Sequence, residues 1–332
     1  MATPAIPERV LVAPDSFKGT FRAAQVAAAI GRGLEAAGFP PPDLCPVADG
    51  GEGTLEVLLT SLGGETRGTT ATDPLGRTVQ AGFALIEDGG TAIVEVAEAS
   101  GLWRVAEDER DAEAATSRGT GELIAAAVEA GAQVVLVAAG GSATTDGGAG
   151  AIAAIEEAGG LRGARIVVLC DVRTPFERAA EVFGPQKGAG PDAVKRLTAR
   201  LDALARDLPR DPRGVPMTGA AGGLSGGLWA ACGAVLEPGA PFVLGELGFD
   251  ARMRAARAVI VGEGRIDEQS LQGKITGEIA TRARQAGVPC YAIVGTNALG
   301  SFGARMLDLQ RVVEATTLEE LEAAAASLAD VL

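Results

Sequence analysis

The sequence predicts an α/β protein in which a doubly wound parallel-sheet domain is joined by a second, mixed α/β domain built from insertions. Three observations carry that reading. Short β-branched runs alternate with alanine-rich segments of helical length, as in βαβ units that form a parallel sheet. Two stretches, Thr66 to Leu102 and Ile166 to Gly245, break the alternation. A length of 332 residues fits roughly two domains, and 47% hydrophobic content gives each a core.

In chain order, strands are expected at Arg9–Ala13, Leu44–Val47, Val134–Ala138, Ala258–Val261, Cys290–Val294 and Arg311–Val313. Helices follow at Phe21–Ala37, Gly53–Leu62, Gly147–Ala158, Ile275–Ala286 and Leu318–Leu328, and Gly119–Ala130 leads into the third strand. Thr66 to Leu102 reads as a meander of short strands, with turn signals at Asp73-Pro74 and Asp88-Gly89-Gly90. Ile166 to Gly245 mixes strands with a charged helix near Asp192–Asp207 and a glycine-rich run. The doubly wound domain is therefore expected from residues 1–65, 116–160 and 246–332, and the smaller one from 66–115 and 161–245. The active site is expected in a cleft between them.

Composition narrows function by exclusion. A formal net charge of −14 repels polyanions, so neither nucleic acid nor an anionic membrane is an expected partner. Histidine is absent, which removes Ser/His/Asp and Cys/His catalysis and every histidine metal site. Acid–base work falls to Asp, Glu, Lys or the single tyrosine, Tyr291. Cys45, Cys170, Cys232 and Cys290 lie far apart with no CxxC pair, the pattern of reduced core residues in a cytoplasmic protein. Met1 to Arg9 lacks the basic-then-apolar order of a secretory signal. Val215 to Leu236 is uncharged, but its glycines and flanking prolines predict tight turns instead of a membrane span.

Glycine, 47 residues in all, is clustered, and nearly every expected strand ends in a glycine- or acid-rich loop: PDSFKGT (Pro14–Thr20), ADGGEGT (Ala48–Thr54), AGGSATTDGGAG (Ala139–Gly150) and GEGRIDEQSLQGK (Gly262–Lys274). Ligands of open parallel sheets gather beyond the carboxyl ends of the strands, so these loops predict a small-molecule active site. AGGSATTDGGAG runs from a strand into a helix, where amides and the helix N-terminus form a cradle for phosphate. Asp146 within it is either an N-cap or part of a Mg²⁺–phosphate site. A Walker A loop is absent, because Glu268 stands where its first glycine belongs and no hydroxyl follows Lys274. No GxGxxG follows the first strand either.

Arginine outnumbers lysine 25 to 4, so each lysine is informative. Lys18, Lys187 and Lys274 adjoin glycine in loop contexts that suit a phosphate or carboxylate, whereas Lys195 falls on the charged helix. Asp49, Glu52, Asp171, Glu263 and Asp267 place carboxylates at the ends of apolar runs. Metal ligands, cations for a migrating phosphate and a carboxylate for the attacking hydroxyl are what phosphoryl transfer needs. A non-catalytic sensor of phosphorylated metabolites would keep the cradle without this wealth of acids.

In this order, and over almost the whole chain, PDSFKGT, ADGGEGT, TDPLGR (Thr72–Arg77), SRGTGELI (Ser117–Ile124), GGSATTDGGAG, CDV (Cys170–Val172), FGPQKGA (Phe183–Ala189), GAAGGLSGG (Gly219–Gly227) and GEGRIDEQSLQGK resemble bacterial type I glycerate kinases. The resemblance implies a two-domain α/β kinase, one domain Rossmann-like, that phosphorylates D-glycerate with MgATP to 2-phosphoglycerate. A kinase of the same fold that gives 3-phosphoglycerate or acts on another small hydroxy acid is the alternative. The expected partners are D-glycerate and ATP, and the expected assembly is a monomer or homodimer.

Carried over residue by residue, the resemblance implies that Gly140, Gly141, Ser142, Thr144, Gly147 and Gly148 hold phosphates that Lys187 and Lys274 neutralise. Asp146 and Asp171 become the Mg²⁺ ligands. Asp15, Ser16, Lys18, Arg77 and Ser100 become contacts of glycerate, with Lys18 also counted in the catalytic set. Asp267 is the first choice for the base at the substrate hydroxyl, and Asp49 the second. The glycines of GAAGGLSGG serve either a second close-approach site or tight packing. Two features depart from the family: the chain is shorter between Gly160 and Cys170 than the family usually runs, and no proline follows Lys274.

Overall fold

The computed structural model describes residues 9–268, 270 and 274–332. Residues 1–8, 269 and 271–273 lie outside it, and with them the signal-peptide reading and part of the last glycine loop. Numbered along the chain, the strands are β1 (Val10–Pro14), β2 (Asp43–Leu44), β3 (Glu65–Thr72), β4 (Thr78–Ile86), β5 (Thr91–Glu95), β6 (Val134–Ala138), β7 (Arg165–Cys170), β8 (Val235–Pro238), β9 (Ala258–Ile266), β10 (Cys290–Asn297) and β11 (Leu309–Glu314). They divide between two compact units, the first made of Met1–Asp49 with Ala240–Leu332 and the second of Gly50–Gly239.

The first unit is built on a parallel sheet of order β11-β10-β9-β1-β2. All five residues of β1 are buried, as expected of a strand covered on both faces. Val26, Ile30 and Leu34, spaced at helical intervals on Ala23–Ala36, meet Val12, Ile260, Ile293 and Leu321 in its core. The helix Leu318–Ser327 starts at Thr317, whose hydroxyl accepts the Glu320 amide at 3.2 Å, a side-chain N-cap. From β1 the chain moves to β2 on one side and returns as β9 on the other. The strand order therefore reverses between β1 and β9, and a crevice opens beyond their carboxyl ends.

The second unit has a six-stranded sheet of order β3-β4-β5-β6-β7-β8. Its β3–β5 part is the antiparallel meander expected from Thr66 to Leu102, whereas β5 to β8 run parallel. Phe83, Val94, Leu123, Ile124, Val137 and Leu224 belong to its main core. The charged helix, Pro191–Asp207, has proline in its first turn and buries Leu197, Leu201 and Ala205 against Phe176, Ala179 and Ala180.

The division of the chain differs from the expected one. Val134–Ala138 was assigned to the doubly wound domain, yet as β6 it pairs with β5 and β7 in the second unit. Both sheets contain parallel βαβ segments, so local alternation identifies a strand without saying which sheet it joins. The first unit accordingly consists of two chain segments, and one continuous insertion forms the second. The strand expected at Leu44–Val47 is regular only at Asp43–Leu44. The segment still follows β1, with the Cys45 amide donating to Val12 at 2.8 Å and the Val47 amide to Pro14 at 3.0 Å. Among the described residues no helix is long and apolar enough to cross a membrane. The four thiols are free, with Cys232 half-buried and the others buried.

Gly33 shows how closely the helices of the first unit pack: a Cβ there would lie 2.1 Å from the Glu322 carbonyl oxygen. Alanine is ordinarily the better residue inside a helix by about 1 kcal/mol. Here Gly33→Ala is expected to destabilise by about 1–3 kcal/mol through overpacking, read as a lower thermal midpoint. An unchanged or higher midpoint would show that the two helices are not in this contact.

Candidate active site

Beyond the carboxyl ends of the first sheet lies an open cavity of about 410 Å³, lined among others by Asp15, Ser16, Lys18, Asp49, Glu263, Arg265, Lys274, Thr296 and Thr316. Its shape follows from strand register. Pro14 of β1 pairs with Gly262 of β9, and the Asp15 amide donates to the Gly262 carbonyl at 2.8 Å, so Asp15 and Glu263 emerge side by side where the strand order reverses. β9 and β10 stay paired as far as Ile266 and Asn297, which carries Arg265 and Thr296 to the same rim. A tight turn, with the Phe17 amide bonded to the Phe21 carbonyl at 2.9 Å, presents Lys18.

Three carboxylates in this cavity are nearly removed from water: Asp15 is 6% exposed, Asp49 2% and Glu263 7%. Burial, and next the charge of Asp49, pushes the Asp15 carboxyl up to about 8, against the pull of Lys18 and a 2.6 Å hydrogen bond from the Ser16 amide. Lys18 Nζ lies 3.4 Å from Asp49 Oδ2. Burial also raises Glu263, while the Ser270 hydroxyl donates to its Oε1 at 3.0 Å and opposes the rise. Asp267 stands outside the described lining, with the Arg265 guanidinium 3.4 Å from its Oδ2.

The second unit presents the loop that follows β6, and Asp146 is its hub. Asp146 Oδ2 accepts hydrogen bonds from the Ser117 amide and hydroxyl, both at 2.8 Å, and from the Gly150 amide at 3.2 Å. Its Oδ1 accepts from the Gly148 amide at 3.1 Å. The carboxylate thus binds amides at the start of the helix Ala149–Glu157, whose N-cap is Gly148, and ties it to the start of Arg118–Glu129. Asp146, read from sequence as either an N-cap or part of a Mg²⁺–phosphate site, stands two residues before the N-cap and joins the two helix starts. Asp171, half-buried beyond β7, is the other acid implied as a metal ligand. Among the described residues no three acidic or cysteine side chains converge on a cation site.

Ser100 and Arg77, both implied as glycerate contacts, are engaged elsewhere. The wholly buried Ser100 hydroxyl accepts from the Thr120 hydroxyl at 2.8 Å, and the Ser100 carbonyl accepts the Ala143 amide at 2.9 Å, so this residue braces the glycine loop. Arg77 locks its own turn through Asp73 at 2.6 Å and Glu109 at 3.1 Å. The run GAAGGLSGG is a packing device: a Cβ on Gly222 would fall 1.9 Å from the Thr144 carbonyl, and one on Gly227 2.1 Å from that of Gly147. Gly147 meets Phe176 and Leu201, and Gly148 meets Leu224, in the same layer. Gly140 lies against Gly51, and Gly141 beside Ala97.

Lys187 is the unusual group of the second unit. It is 2% exposed, and its ammonium donates to the Ser142 hydroxyl at 2.9 Å and the Thr144 carbonyl at 2.5 Å without an ion pair among the described residues. Burial pushes it down to about 7, outweighing the attraction of Asp146. In the same loop the hydroxyls of Thr144 and Thr145 are buried with no hydrogen-bond partner. A buried ammonium bonded only to neutral acceptors and two unused hydroxyls fit an anion such as a phosphate.

The family model described as Glycerate kinase family matches residues 10–159 and 156–331. The chain belongs to the glycerate kinase family. The two matched stretches overlap at residues 156–159. The glycerate 2-kinase of Escherichia coli K12 is 37% identical over 325 aligned positions, covering 87% of this chain and 85% of that protein. The glycerate kinase of Bacillus subtilis 168 is 39% identical over 325 positions, with the same coverage. A crystal structure from Salmonella typhimurium LT2, of a protein provisionally named glycerate kinase 2, is similar with a TM-score of 0.79 and 34% identity over 97% of each chain.

In this glycerate kinase family chain, sequence reasoning assigned no role to Arg265, Thr296 or Thr316; the first two reach the cavity because β9 and β10 are longer than their apolar cores, and Thr316 follows β11. Glu263 was legible as a loop acid but received no role. Glu95 was missed altogether: at the end of β5 its Oε1 accepts the Leu55 amide at 2.7 Å, and burial pushes its carboxyl up to about 7. The available signal was an acid closing the apolar run Thr91–Glu95.

Lys187 generates a test in stability. Between about 7 and 10.5 the native protein binds fewer protons at this lysine than the unfolded chain does, so its contribution to stability rises with pH across that window. Urea denaturation from about pH 7 to about pH 10 is expected to show that rise in wild type relative to Lys187→Met. Parallel curves would mean that the ammonium is not desolvated.

Proposed function

We propose that this chain transfers the γ-phosphoryl group of ATP to the C2 hydroxyl of D-glycerate, giving 2-phosphoglycerate and ADP. The observation that carries the reading is the cavity at the β1–β9 reversal, with Lys18 and Lys274 beside buried carboxylates, in a chain of the glycerate kinase family. Lys18, Ser16 and Lys274 suit the carboxylate and hydroxyls of glycerate. A cavity carboxylate takes the hydroxyl proton as the oxygen forms its bond to phosphorus and the bond to the bridging oxygen of ADP breaks.

The nucleotide phosphates suit the second unit's loop, where the Lys187 ammonium, the Ser142, Thr144 and Thr145 hydroxyls, and the amides around Gly140 and Gly141 provide donors. Bound MgATP supplies the activated phosphoryl group. Mg²⁺ ordinarily keeps several waters and phosphate oxygens as ligands, and Asp171, beyond β7, is a carboxylate that would hold it. The reduced, mostly buried cysteines suit work in the cytoplasm.

The test is incubation with MgATP and D-glycerate, with the product identified by NMR. The expected product is 2-phosphoglycerate, and none should form in excess EDTA. Formation of 3-phosphoglycerate would overturn the choice of hydroxyl, and no turnover of any small hydroxy acid would overturn the reading. Lys187→Met is expected to lower kcat/KM by about 10²-fold or more, as for loss of a preorganised charge-stabilising donor. Lys195→Met, on an exposed side chain paired with Asp192, should leave it unchanged.

A further inference from the structure

We infer that Asp15, fixed at the end of β1 beside the Lys18–Asp49 ion pair, is the carboxylate that takes the proton from the substrate hydroxyl. This rests on the proposed kinase reaction. The cavity offers Asp15, Asp49 and Glu263 for the task, and their surroundings separate them. Asp49 is held 3.4 Å from the Lys18 ammonium, which balances its charge. Glu263 already accepts a hydrogen bond from Ser270 at 3.0 Å. Asp267, the base expected from sequence, lies outside the described lining and faces Arg265 at 3.4 Å.

Asp15 is different. Its Oδ1 takes the Ser16 amide at 2.6 Å, and among the described residues its Oδ2 accepts no hydrogen bond, so that oxygen is available to a ligand in the cavity. The backbone fixes it: Asp15 follows the last residue of β1, and its amide is bonded to Gly262 across the sheet. A positioning group needs such a rigid base.

The charged groups around it set its behaviour. Asp49 and Glu263 disfavour its ionisation, while Lys18 favours it. Its affinity for a proton consequently lies near the working pH, where a general base is most effective. In the reaction the substrate O–H bond breaks as its oxygen bonds to phosphorus, the electron pair of the old O–P bond stays on ADP, and the proton rests on Asp15 Oδ2 before passing to water.

The test compares full-length wild type with Asp15→Asn, Asp15→Glu and Asp267→Asn. Asparagine can still accept the Ser16 amide and removes a desolvated charge, so the fold should survive, with a thermal midpoint no lower than wild type. Asp15→Asn is expected to lower kcat by about 10²-fold or more while glycerate and ATP still bind. Wild-type kcat/KM should rise with pH toward about 8, and Asp15→Asn should lose that rise. Asp15→Glu, which keeps a carboxylate, should recover part of the rate and the pH dependence. Asp267→Asn should stay near wild type. Wild-type turnover with an unaltered pH profile in Asp15→Asn would overturn the inference and leave the kinase reading intact. Transfer of the loss to Asp267→Asn would reinstate that residue, and absence of product from wild type would remove both.

Discussion

The parallel register of β1 on β9 is the constraint on which the first unit's chemistry depends. Because Pro14 and Gly262 are partners, the next residue on each strand is fixed to within the tolerance of a sheet ladder, and each is an acid. A third acid, Asp49, arrives on the segment that follows β1 after β2. Bringing three carboxylates together away from water is unfavourable, and Lys18 offsets only part of that repulsion. The cavity consequently stores its reactivity in the difficulty of ionising one of them.

The second unit handles charge the opposite way. Asp146 is also buried, but four donors surround it, so the anion is satisfied by the fold and serves the fold. Lys187 is the group left over, with neutral hydrogen-bond partners and no ion pair among the described residues. The first unit therefore gathers three buried carboxylates in a cavity that also holds Lys18, Arg265 and Lys274, and the second buries an ammonium whose hydrogen-bond partners are neutral. Proton handling suits the former and phosphate binding the latter.

Much of this was legible in sequence because it rests on local chemistry. β-Branched runs located the strands, and the scarcity of lysine singled out Lys18, Lys187 and Lys274 from Lys195. What failed depends on distant partners. Val134–Ala138 reads as a strand of either sheet, and only pairing with β5 and β7 decides. Arg77 and Ser100 sit in motifs that read as functional, yet Asp73, Glu109 and Thr120 occupy their side chains. The bonds that make Asp146 a hub were not legible for the same reason, since one of its donors, Ser117, is 29 residues away in sequence. Arg265 and Thr296 were invisible because strand pairing continues into polar sequence, where hydrophobic pattern gives no signal.

The same poverty of lysine makes the protein its own reporter. With guanidinium groups carrying nearly all the surface positive charge, an amine-selective acylating reagent meets few lysines: Lys187 is shielded, Lys195 is 78% exposed and Lys18 is 55% exposed on the cavity wall. Labelling at Lys18, normalised to Lys195, would read cavity occupancy directly by peptide mass, without a chromophore or an engineered tag.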